Sequence, residues 1–283
     1  MSERQRDRAE PTPAPSPSWS PPNLPLDKPS AARMYDYFLG GYHNFAIDRQ
    51  AADAATAIYP DFPLVMQANR AFLRRAVKYL ASQGVRRFLD IGSGIPTVDN
   101  THHVASRINP DAQVVYLDND PIAVAHSRAM LRGEANTMIV EADAADPDLV
   151  SKYPAIRELL DGHEPVALLL VFLLHFVLDD QQAYDLVRNL TNALPSGSYV
   201  VISHGTPDNT PPDVRDQILR LYRGTTNPVR VRTRAQFARF FEGLELVEPG
   251  ITFVPSWRPD APDDLFVSEP ERSAGFAGVA RKP

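Results

Sequence analysis

The chain of 283 residues has 43% hydrophobic residues, 23% charged residues and a formal net charge of −6, a composition typical of a soluble globular protein with a substantial core. Its negative charge argues against a general affinity for nucleic acid or anionic membranes, and its lack of cysteine excludes disulfides, thiolate nucleophiles and cysteine-based zinc sites. No apolar run is long enough to cross a bilayer and the first ten residues are mostly charged, so we expect a cytoplasmic protein without membrane partners.

Residues 1–29 are rich in proline, with eight prolines between Pro11 and Pro29. Because proline removes a backbone donor and fixes φ, this stretch cannot form a helix or the interior of a sheet. We interpret it as a disordered arm. It is either a tail without function or a segment that packs on a partner or at the mouth of a site.

Residues 30–84 are predicted to be helical. The first helix ends at Gly40 and Gly41, and the alanine-rich residues 47–58 form a second helix. In residues 66–80 an apolar side chain recurs at every fourth position, which predicts an amphipathic helix that ends at Gly84. We interpret the whole segment as a lid over a ligand site, with the paired glycines as a hinge or tight turn.

From residue 85 onward the sequence alternates between strand and helix patterns, which predicts a parallel sheet with helices on both faces. Strands are expected at 86–91, 113–118, 136–143, 166–174 and 198–203, with helices at 98–108, 121–131 and 180–193. Helices at 213–222 and 234–241 then precede two C-terminal strands at 244–255 and 274–282. We therefore predict one α/β domain over residues 85–283.

The stretch FLDIGSGIPT, residues 88–97, follows the first strand and has features of a nucleotide-binding turn. Gly92 and Gly94 permit a tight turn and a close approach of a ligand to the backbone, and the following helix offers unpaired N–H groups. The third glycine of the dinucleotide fingerprint would be residue 97, which is Thr97, and no glycine–lysine pair follows as in a phosphate-binding loop. The turn therefore favours a ligand without phosphate groups.

Three acidic residues, Asp90, Asp118 and Asp143, lie at or near the ends of the first three strands. Asp118 is placed to accept from ribose hydroxyls, and Asp143 could accept from the amine of an adenine. Asp90 would attract a positively charged amino group near the glycines, and S-adenosylmethionine has all of these parts. Structural alternatives stay open, because Asp90 could cap the turn, Asp118 or Asp120 could cap the next helix, and a nearby acid could replace Asp143.

The motifs DIGSG (90–94), YLDNDP (116–121) and EADA (141–144) together resemble the successive cofactor motifs of class I S-adenosylmethionine-dependent methyltransferases. RMYDYFLGGYHNFAIDR (33–49) and NRAFLRRAV (69–77) extend the resemblance to an actinobacterial methyltransferase group, the domain-of-unknown-function 574 family. The resemblance implies a Rossmann-like class I methyltransferase fold, in which a seven-stranded, mostly parallel sheet has helices on both faces and an N-terminal helical lid. This sequence has Pro96 where many class I enzymes have a third glycine.

The resemblance also implies which residues contact the cofactor. The expected S-adenosylmethionine-binding residues are Asp90, Gly92, Ser93, Gly94, Asp118, Asn119, Asp143, Ala144, Asn69, Arg70 and Phe172. Asn69 and Arg70 could reach the cofactor carboxylate, although an ordinary surface helix explains Arg70 equally well. No spacing of histidine and acidic residues indicates a metal site.

Three residues are candidates for catalysis: His175, Tyr35 and Asp36. His175 follows the fourth predicted strand, where its imidazole could deprotonate a methyl acceptor at neutral pH, or it could be a core histidine bonded to a carbonyl. Tyr35 and Asp36 belong to the lid, which we expect to close on the ligands and exclude water, or which could serve only as a structural cap. His204, after the fifth strand, is a second candidate for the same region.

The segment PVRVRTR, residues 228–234, alternates arginine with other residues. If it is a strand, Arg230, Arg232 and Arg234 share one face. That face could bind an anionic substrate, or it could be a solvated edge that deters aggregation.

We therefore predict an S-adenosylmethionine-dependent methyltransferase that acts on an oxygen, nitrogen or carbon nucleophile of an unidentified small molecule. Two alternatives stay open. The chain could be an S-adenosylmethionine-binding regulatory module without turnover, or an NAD-dependent oxidoreductase with an atypical loop. The sequence indicates neither the acceptor nor the oligomeric state.

Overall fold

The computed structural model describes residues 27–95, 100–146 and 148–283. Residues 1–26 of the predicted proline-rich arm lie outside the described residues. The same holds for Pro96, which replaces a glycine of many class I enzymes, and for the first two residues of the helix predicted at 98–108. The order of the elements along the rest of the chain follows the alternation predicted from the sequence.

A mostly parallel sheet forms the centre of the molecule. Its strands are β1 (Arg87–Ile91), β2 (Gln113–Asp118), β3 (Thr137–Glu141), β4 (Val166–Val171), β5 (Tyr199–Gly205), β6 (Glu245–Leu246), β7 (Thr252–Phe253) and β8 (Gly275–Arg281). The order across the sheet is β3-β2-β1-β4-β5-β8-β6, and β7 also pairs with β8. Strands β1 to β5 run parallel and β8 is antiparallel to β5. Strands β6 and β7 pair with different parts of β8, so both lie beside β8 at the same edge of the sheet. Counted across its width, the sheet therefore has seven strands, as predicted.

Ten α-helices lie in the described part of the chain. They are α1 (Ala31–Phe38), α2 (Ala46–Ile58), α3 (Phe62–Ser82), α4 (Thr101–Ser106), α5 (Pro121–Met130), α6 (Leu149–Lys152), α7 (Pro154–Leu160), α8 (Asp180–Ala193), α9 (Pro212–Arg223) and α10 (Arg234–Ala238). Helix α8 has the predicted bounds, with Asp179 accepting from the backbone N–H of Gln182 at its start. Helices α6 and α7 were not predicted, because each is too short to show a helical period.

The two faces of the sheet bury separate apolar clusters, because successive side chains of a strand point to opposite faces. Leu89 and Leu168 belong to the cluster that includes residues of α7 and α8. Phe88 and Leu169 belong to the cluster that includes Phe72 and its neighbours on α3. The predicted arrangement of helices on both faces is therefore confirmed.

The lid segment has a small core of its own, made by α1, α2 and the first turn of α3 with one residue of α9. Its buried residues are Ala31, Met34, Phe38, Ala52, Ala55, Val65, Met66 and Tyr222. A buried ion pair between Arg33 Nε and Asp48 Oδ2, 2.7 Å apart, joins α1 to α2. The remainder of α3 packs on the sheet, so α3 contributes to both the lid and the α/β unit, and a boundary at residue 84 stays a prediction.

Strand β4 ends earlier than the predicted range of 166–174. Its last residue is Val171, and Phe172 adopts a positive φ of 51°. That conformation, uncommon for a residue with a side chain, turns the chain away from the sheet. The turn brings residues 172–176 over the carboxyl ends of the strands, where His175 lies in a short 3-10 helix.

Candidate functional site

A cavity of about 660 Å³ lies beyond the carboxyl ends of the parallel strands. This is the edge at which open α/β sheets bind ligands. The turns after β1, β2, β3 and β4 form one side of the cavity, and α1, α3 and α9 form the other. Its volume is within the range of about 300–1,000 Å³ that is typical of small-molecule sites.

The glycine turn after β1 has a backbone conformation that favours glycine. Gly92 and Gly94 have positive φ values of 71° and 64°. A Cβ on Gly92 would lie 2.6 Å from Cδ1 of Leu173, so that side chain would have to shift, and the positive φ would strain any residue other than glycine. The backbone N–H of Gly92 donates to the carbonyl of Leu117 over 2.7 Å, which joins the turn to the end of β2.

Asp118 ties the glycine turn to the start of α5. Its Oδ2 accepts from the backbone N–H of Gly94 and its Oδ1 from that of Asp120, both over 2.8 Å. Asp120 is the residue that caps α5, since its carboxylate accepts from Ile122 and Ala123. Asp118 is therefore not the helix cap, and its buried carboxylate lines the cavity.

Burial raises the pKa of both Asp90 and Asp118 to about 6. Asp90 accepts from Oγ1 of Thr101 over 2.7 Å, and this bond and the charge of Arg70 oppose the rise in its pKa. Burial removes water from both carboxylates, so a ligand that offers hydrogen-bond donors and positive charge would stabilise their ionised forms. A cationic ligand with hydroxyl groups would supply both.

Other predicted cofactor residues reach the same cavity. Ser93, Asn119, Asp143, Ala144, Arg70, Asn69 and Phe172 all line it. Oγ of Ser93 and Nε of Arg70 are buried, and within the described residues they have no hydrogen-bond partner. Asp143 is more exposed and accepts from the backbone N–H of Ala145. The structure thus brings all eleven predicted cofactor residues together around one void.

Asn69 and Tyr35 belong to a buried hydrogen-bond chain that the sequence did not indicate. Oδ1 of Asn69 accepts from Oγ of Ser203 over 2.6 Å, and Nδ2 of Asn69 donates to the hydroxyl of Tyr35 over 3.0 Å. The Tyr35 hydroxyl donates in turn to the carbonyl of Met66. Burial raises the pKa of Tyr35, so its hydroxyl keeps its proton and positions the lid helix on α3.

Asp36 does not line the cavity, although it was predicted as a catalytic candidate. Its Oδ2 accepts from the backbone N–H of His43 and from Nδ2 of Asn44, over 2.8 and 2.9 Å. The Asp36 carboxylate also occupies the space beside Gly41, where an added Cβ would lie 2.0 Å from Oδ1. Asp36 therefore holds the turn at residues 40–44, which explains the second glycine of that turn.

His175 lines the cavity between two aromatic rings. Its ring centroid lies 5.4 Å from that of Phe172 and 4.3 Å from that of Phe176, both in edge-on geometry. Burial lowers the pKa of His175 well below its ordinary value, so the ring is neutral at neutral pH. Nδ1 of His175 is buried without a hydrogen bond to any described residue, which differs from the predicted alternative of a core histidine bonded to a carbonyl.

His204 lies behind His175 and does not line the cavity. Its Nδ1 donates to the carbonyl of Gly205 and its Nε2 accepts from Arg232, over 2.7 and 3.0 Å. Burial lowers the pKa of His204 to about 3. With both nitrogens occupied, His204 has a structural role.

Residues 228–233 do not form a strand, so the condition for a shared arginine face is not met. The backbone N–H of Arg232 donates to the carbonyl of Gly205 at the end of β5, and Arg230 forms two hydrogen bonds of 2.7 Å with Asp180. Arg232 is fully buried and donates to the same carboxylate and to the carbonyls of Leu174 and Val177. These guanidinium groups have partners within the chain, so they do not offer a site for an anionic substrate.

Aromatic and apolar side chains line the half of the cavity under the lid. We name this part the aromatic chamber; it consists of Phe38, Phe62, Met66, Phe172, Phe176 and Tyr222. The sequence did not indicate it, because its members come from α1, α3, α9 and the turn after β4, without a shared motif. Their separate helical patterns predicted only buried faces.

The described residues contain neither a candidate membrane span nor a candidate metal cluster. No helix among them has both the length and the apolar composition needed to span a membrane. No group of three potential metal ligands comes together in residues 27–95, 100–146 and 148–283.

Comparison with known proteins gives one family. A family profile described as S-adenosyl methyltransferase matches residues 17–283. A crystal structure of a provisionally named methyltransferase from Thermobifida fusca has 39% sequence identity and a TM-score of 0.87, covering 94% of this chain and 99% of that one. A domain-of-unknown-function 574 protein from Streptomyces avermitilis has 44% identity and a TM-score of 0.85, covering 91% and 98%. No curated protein matches. The predicted Rossmann-like fold and family are confirmed by these matches.

Proposed function

The chain belongs to the S-adenosyl methyltransferase family, and on this premise we propose that it transfers a methyl group from S-adenosylmethionine to an oxygen, nitrogen or carbon nucleophile of a small molecule. The observation that carries the proposal is the continuity of the cavity, which extends from Asp118 and Gly94 to the aromatic chamber. A donor and an acceptor held in one void meet in a fixed orientation, which is the main requirement for transfer from an already activated group.

The cofactor half of the cavity fits S-adenosylmethionine in its donors, acceptors and charge. An ionised carboxylate has about four acceptor positions, and Asp118 uses two of them on backbone N–H groups. The other two would accept from the ribose hydroxyls. Asp90 would face the positive charge of the methionine end, and the unpartnered Nε of Arg70 would donate to its carboxylate. Asp143 would accept from the adenine amine.

When bound, S-adenosylmethionine supplies an electrophilic methyl carbon, whose bond to sulfur breaks with the electron pair staying on sulfur as the acceptor bonds to the carbon. His175 is placed to accept the proton that the acceptor loses, because its ring lines the cavity and is neutral. The proton can then pass from the imidazole to water. Tyr35 and Asn69 keep the lid helix against α3 and so exclude bulk water from the site.

The proposal is tested by incubating the full chain with methyl-labelled S-adenosylmethionine and the small-molecule fraction of a Streptomyces extract. We expect the label to move to at least one compound in the fraction, and none to move with Asp118→Ala protein. Calorimetry with S-adenosylhomocysteine and NADH run in parallel reports the cofactor. A protein that binds S-adenosylhomocysteine but transfers no label would be a regulatory module, and tighter binding of NADH would favour the oxidoreductase.

A further inference from the structure

We propose that the acceptor is an uncharged, planar aromatic molecule with a hydroxyl group, and that its ring binds in the aromatic chamber. This inference rests on the proposed function, because it names the class of molecule that receives the methyl group. Four properties of the chamber lead to it: the arrangement of its rings, the pairing of the charges around it, the imidazole of His175 in its wall, and its size.

The rings of the chamber form two walls. On the lid side, the centroids of Phe38 and Phe62 are 5.4 Å apart and those of Phe62 and Tyr222 are 6.3 Å apart. On the sheet side, Phe172 and Phe176 stand on either side of His175, and both pack against the lid cluster. Aromatic rings attract further rings edge-on or offset at these separations, with about 0.5–1.5 kcal/mol per pair beyond the burial of area. Walls of this kind favour a flat ring over an aliphatic group of equal volume.

None of the described charged groups next to the chamber is left to serve as a counter-ion for an acceptor. Arg215 of α9 pairs with Asp216 over 2.9 Å, and the carboxylate of Asp179 accepts from the first turn of α8. Arg70 lies over the ring of Tyr35, and the proposed function assigns its unpartnered Nε to the carboxylate of the cofactor. An ionised acceptor would lose its hydration without gaining a counter-ion in the chamber, which disfavours charge there.

One polar group lies between the rings of the sheet-side wall. The imidazole of His175 is flanked by Phe172 and Phe176, so a ring that packs on these two side chains carries its substituents next to the imidazole. A hydroxyl on that ring can donate to the neutral imidazole. In the transfer, the hydroxyl oxygen forms a bond to the methyl carbon, the carbon–sulfur bond breaks onto sulfur, and the hydroxyl proton goes to His175 and then to water.

The size of the cavity limits the acceptor to a few rings. The whole void is about 660 Å³, and it has to hold the cofactor as well as the acceptor. Small-molecule sites of about 300–1,000 Å³ hold a single drug-sized ligand. The space left beside the cofactor therefore suits an acceptor of a few rings.

The experiment measures the binding of three probes to the full chain saturated with S-adenosylhomocysteine, by calorimetry at neutral pH. The probes are 2-naphthol, decahydro-2-naphthol and 2-naphthoate, which share a two-ring skeleton and differ in aromaticity or charge. We expect 2-naphthol to bind about tenfold more tightly than either of the other two. Equal or tighter binding of decahydro-2-naphthol or 2-naphthoate, or no binding of 2-naphthol at millimolar concentration, would overturn the inference.

A matched pair of variants locates the probe. Phe62→Leu removes a ring of the chamber, and Phe253→Leu removes a half-buried ring that packs on Phe276, outside the cavity. We expect Phe62→Leu alone to weaken the binding of 2-naphthol, by about fivefold, with the affinity for S-adenosylhomocysteine unchanged in both. Equal effects of the two variants would contradict the assignment to the chamber. Failure of the wild-type chain to bind S-adenosylhomocysteine would instead contradict the proposed function.

Discussion

The guanidinium of Arg232 has no exposed surface and lies 3.0 Å from the carboxylate of Asp180. It also contacts two carbonyls, one that precedes His175 in the chain and one that follows it. It donates to the carbonyls of Leu174 and Val177 over 2.9 and 2.8 Å, and the backbone N–H of Arg230 donates to the carbonyl of His175 itself. One buried side chain thus fixes the backbone on both sides of the candidate base.

We expect Arg232→Met to lower the free energy of unfolding by about 3–5 kcal/mol, because it leaves the buried carbonyls of Leu174 and Val177 and Nε2 of His204 without their donor. Arg230→Met is the matched control, since Arg230 pairs with the same Asp180 but is half exposed, and such pairs contribute about 0–1 kcal/mol. Urea unfolding of both variants gives the comparison. A loss in Arg232→Met no larger than that in Arg230→Met would show that the buried contacts do not stabilise the fold.

We expect Asp118→Asn to weaken the binding of S-adenosylhomocysteine by roughly 10- to 100-fold, the contribution of a hydrogen bond to a charged group. Both oxygens of Asp118 accept from backbone N–H groups, and the amide would turn an NH₂ group toward one of these donors. Asp111→Asn is the control, because Asp111 is exposed and precedes β2 at its opposite end. Calorimetry measures both, and an unchanged dissociation constant for Asp118→Asn would refute the assignment of this residue to the ribose.

We expect the affinity for S-adenosylmethionine to fall as the pH is lowered through about 6. Burial raises the pKa of Asp90 and Asp118 to about 6, so below this pH the free protein holds both as neutral acids that no longer attract a cation. Dissociation constants measured between pH 5 and pH 8 report the effect. Equal affinities at pH 5 and pH 7 would show that neither carboxylate needs its charge for binding.

The same pKa values predict an opposite effect on the free protein. The folded state binds a proton at Asp90 more tightly than the unfolded state, whose Asp has a pKa of 3.8. The contribution of Asp90 to stability is therefore fully present below pH 3.8 and is lost as the pH rises through about 6. Asp90→Asn avoids this loss, so we expect it to be more stable than the wild type at pH 7, by up to about 3 kcal/mol. The difference between the two proteins in urea unfolding should disappear near pH 4. Equal stability at pH 7 would contradict the raised pKa.

We expect His175→Gln to lower kcat by about 10²- to 10⁴-fold, the usual contribution of a general base, without changing the affinity for S-adenosylhomocysteine. His103→Gln, an exposed histidine of α4, is the control. Because burial lowers the pKa of His175 well below its ordinary value, kcat of the wild type should stay constant from pH 8 to below pH 6.5. If His175→Gln is less stable than the wild type but has the same kcat, His175 contributes to packing and is not the base.

The parts of the fold that depend on local pattern were predicted well. Apolar runs separated by turn residues predicted all five parallel strands, and the predicted start of α8 at Asp180 is the observed one. The site was predicted where glycines and acids follow those strands, because the edge of the sheet brings strand ends together. Local signals were sufficient in each case.

The parts that depend on distant contacts were not predicted. The partners of Arg232 lie about fifty residues earlier in the chain, and nothing in an alternating pattern shows that an arginine is buried. Asp36 was a catalytic candidate because it belongs to the lid segment, whereas its carboxylate fills the space that Gly41 leaves. The end of β4 depended on the positive φ of Phe172, which an apolar run does not reveal.

The cavity is continuous from its cofactor half to the aromatic chamber, and this continuity also matters for inhibitor design. A single compound that links an adenosine to a naphthyl group through a short tether would fill both halves and incur the entropy cost of association only once. Its gain over the two separate fragments would measure how well the two ligands are aligned for the reaction. Such a bisubstrate compound would also select this enzyme from other proteins that bind adenosine alone.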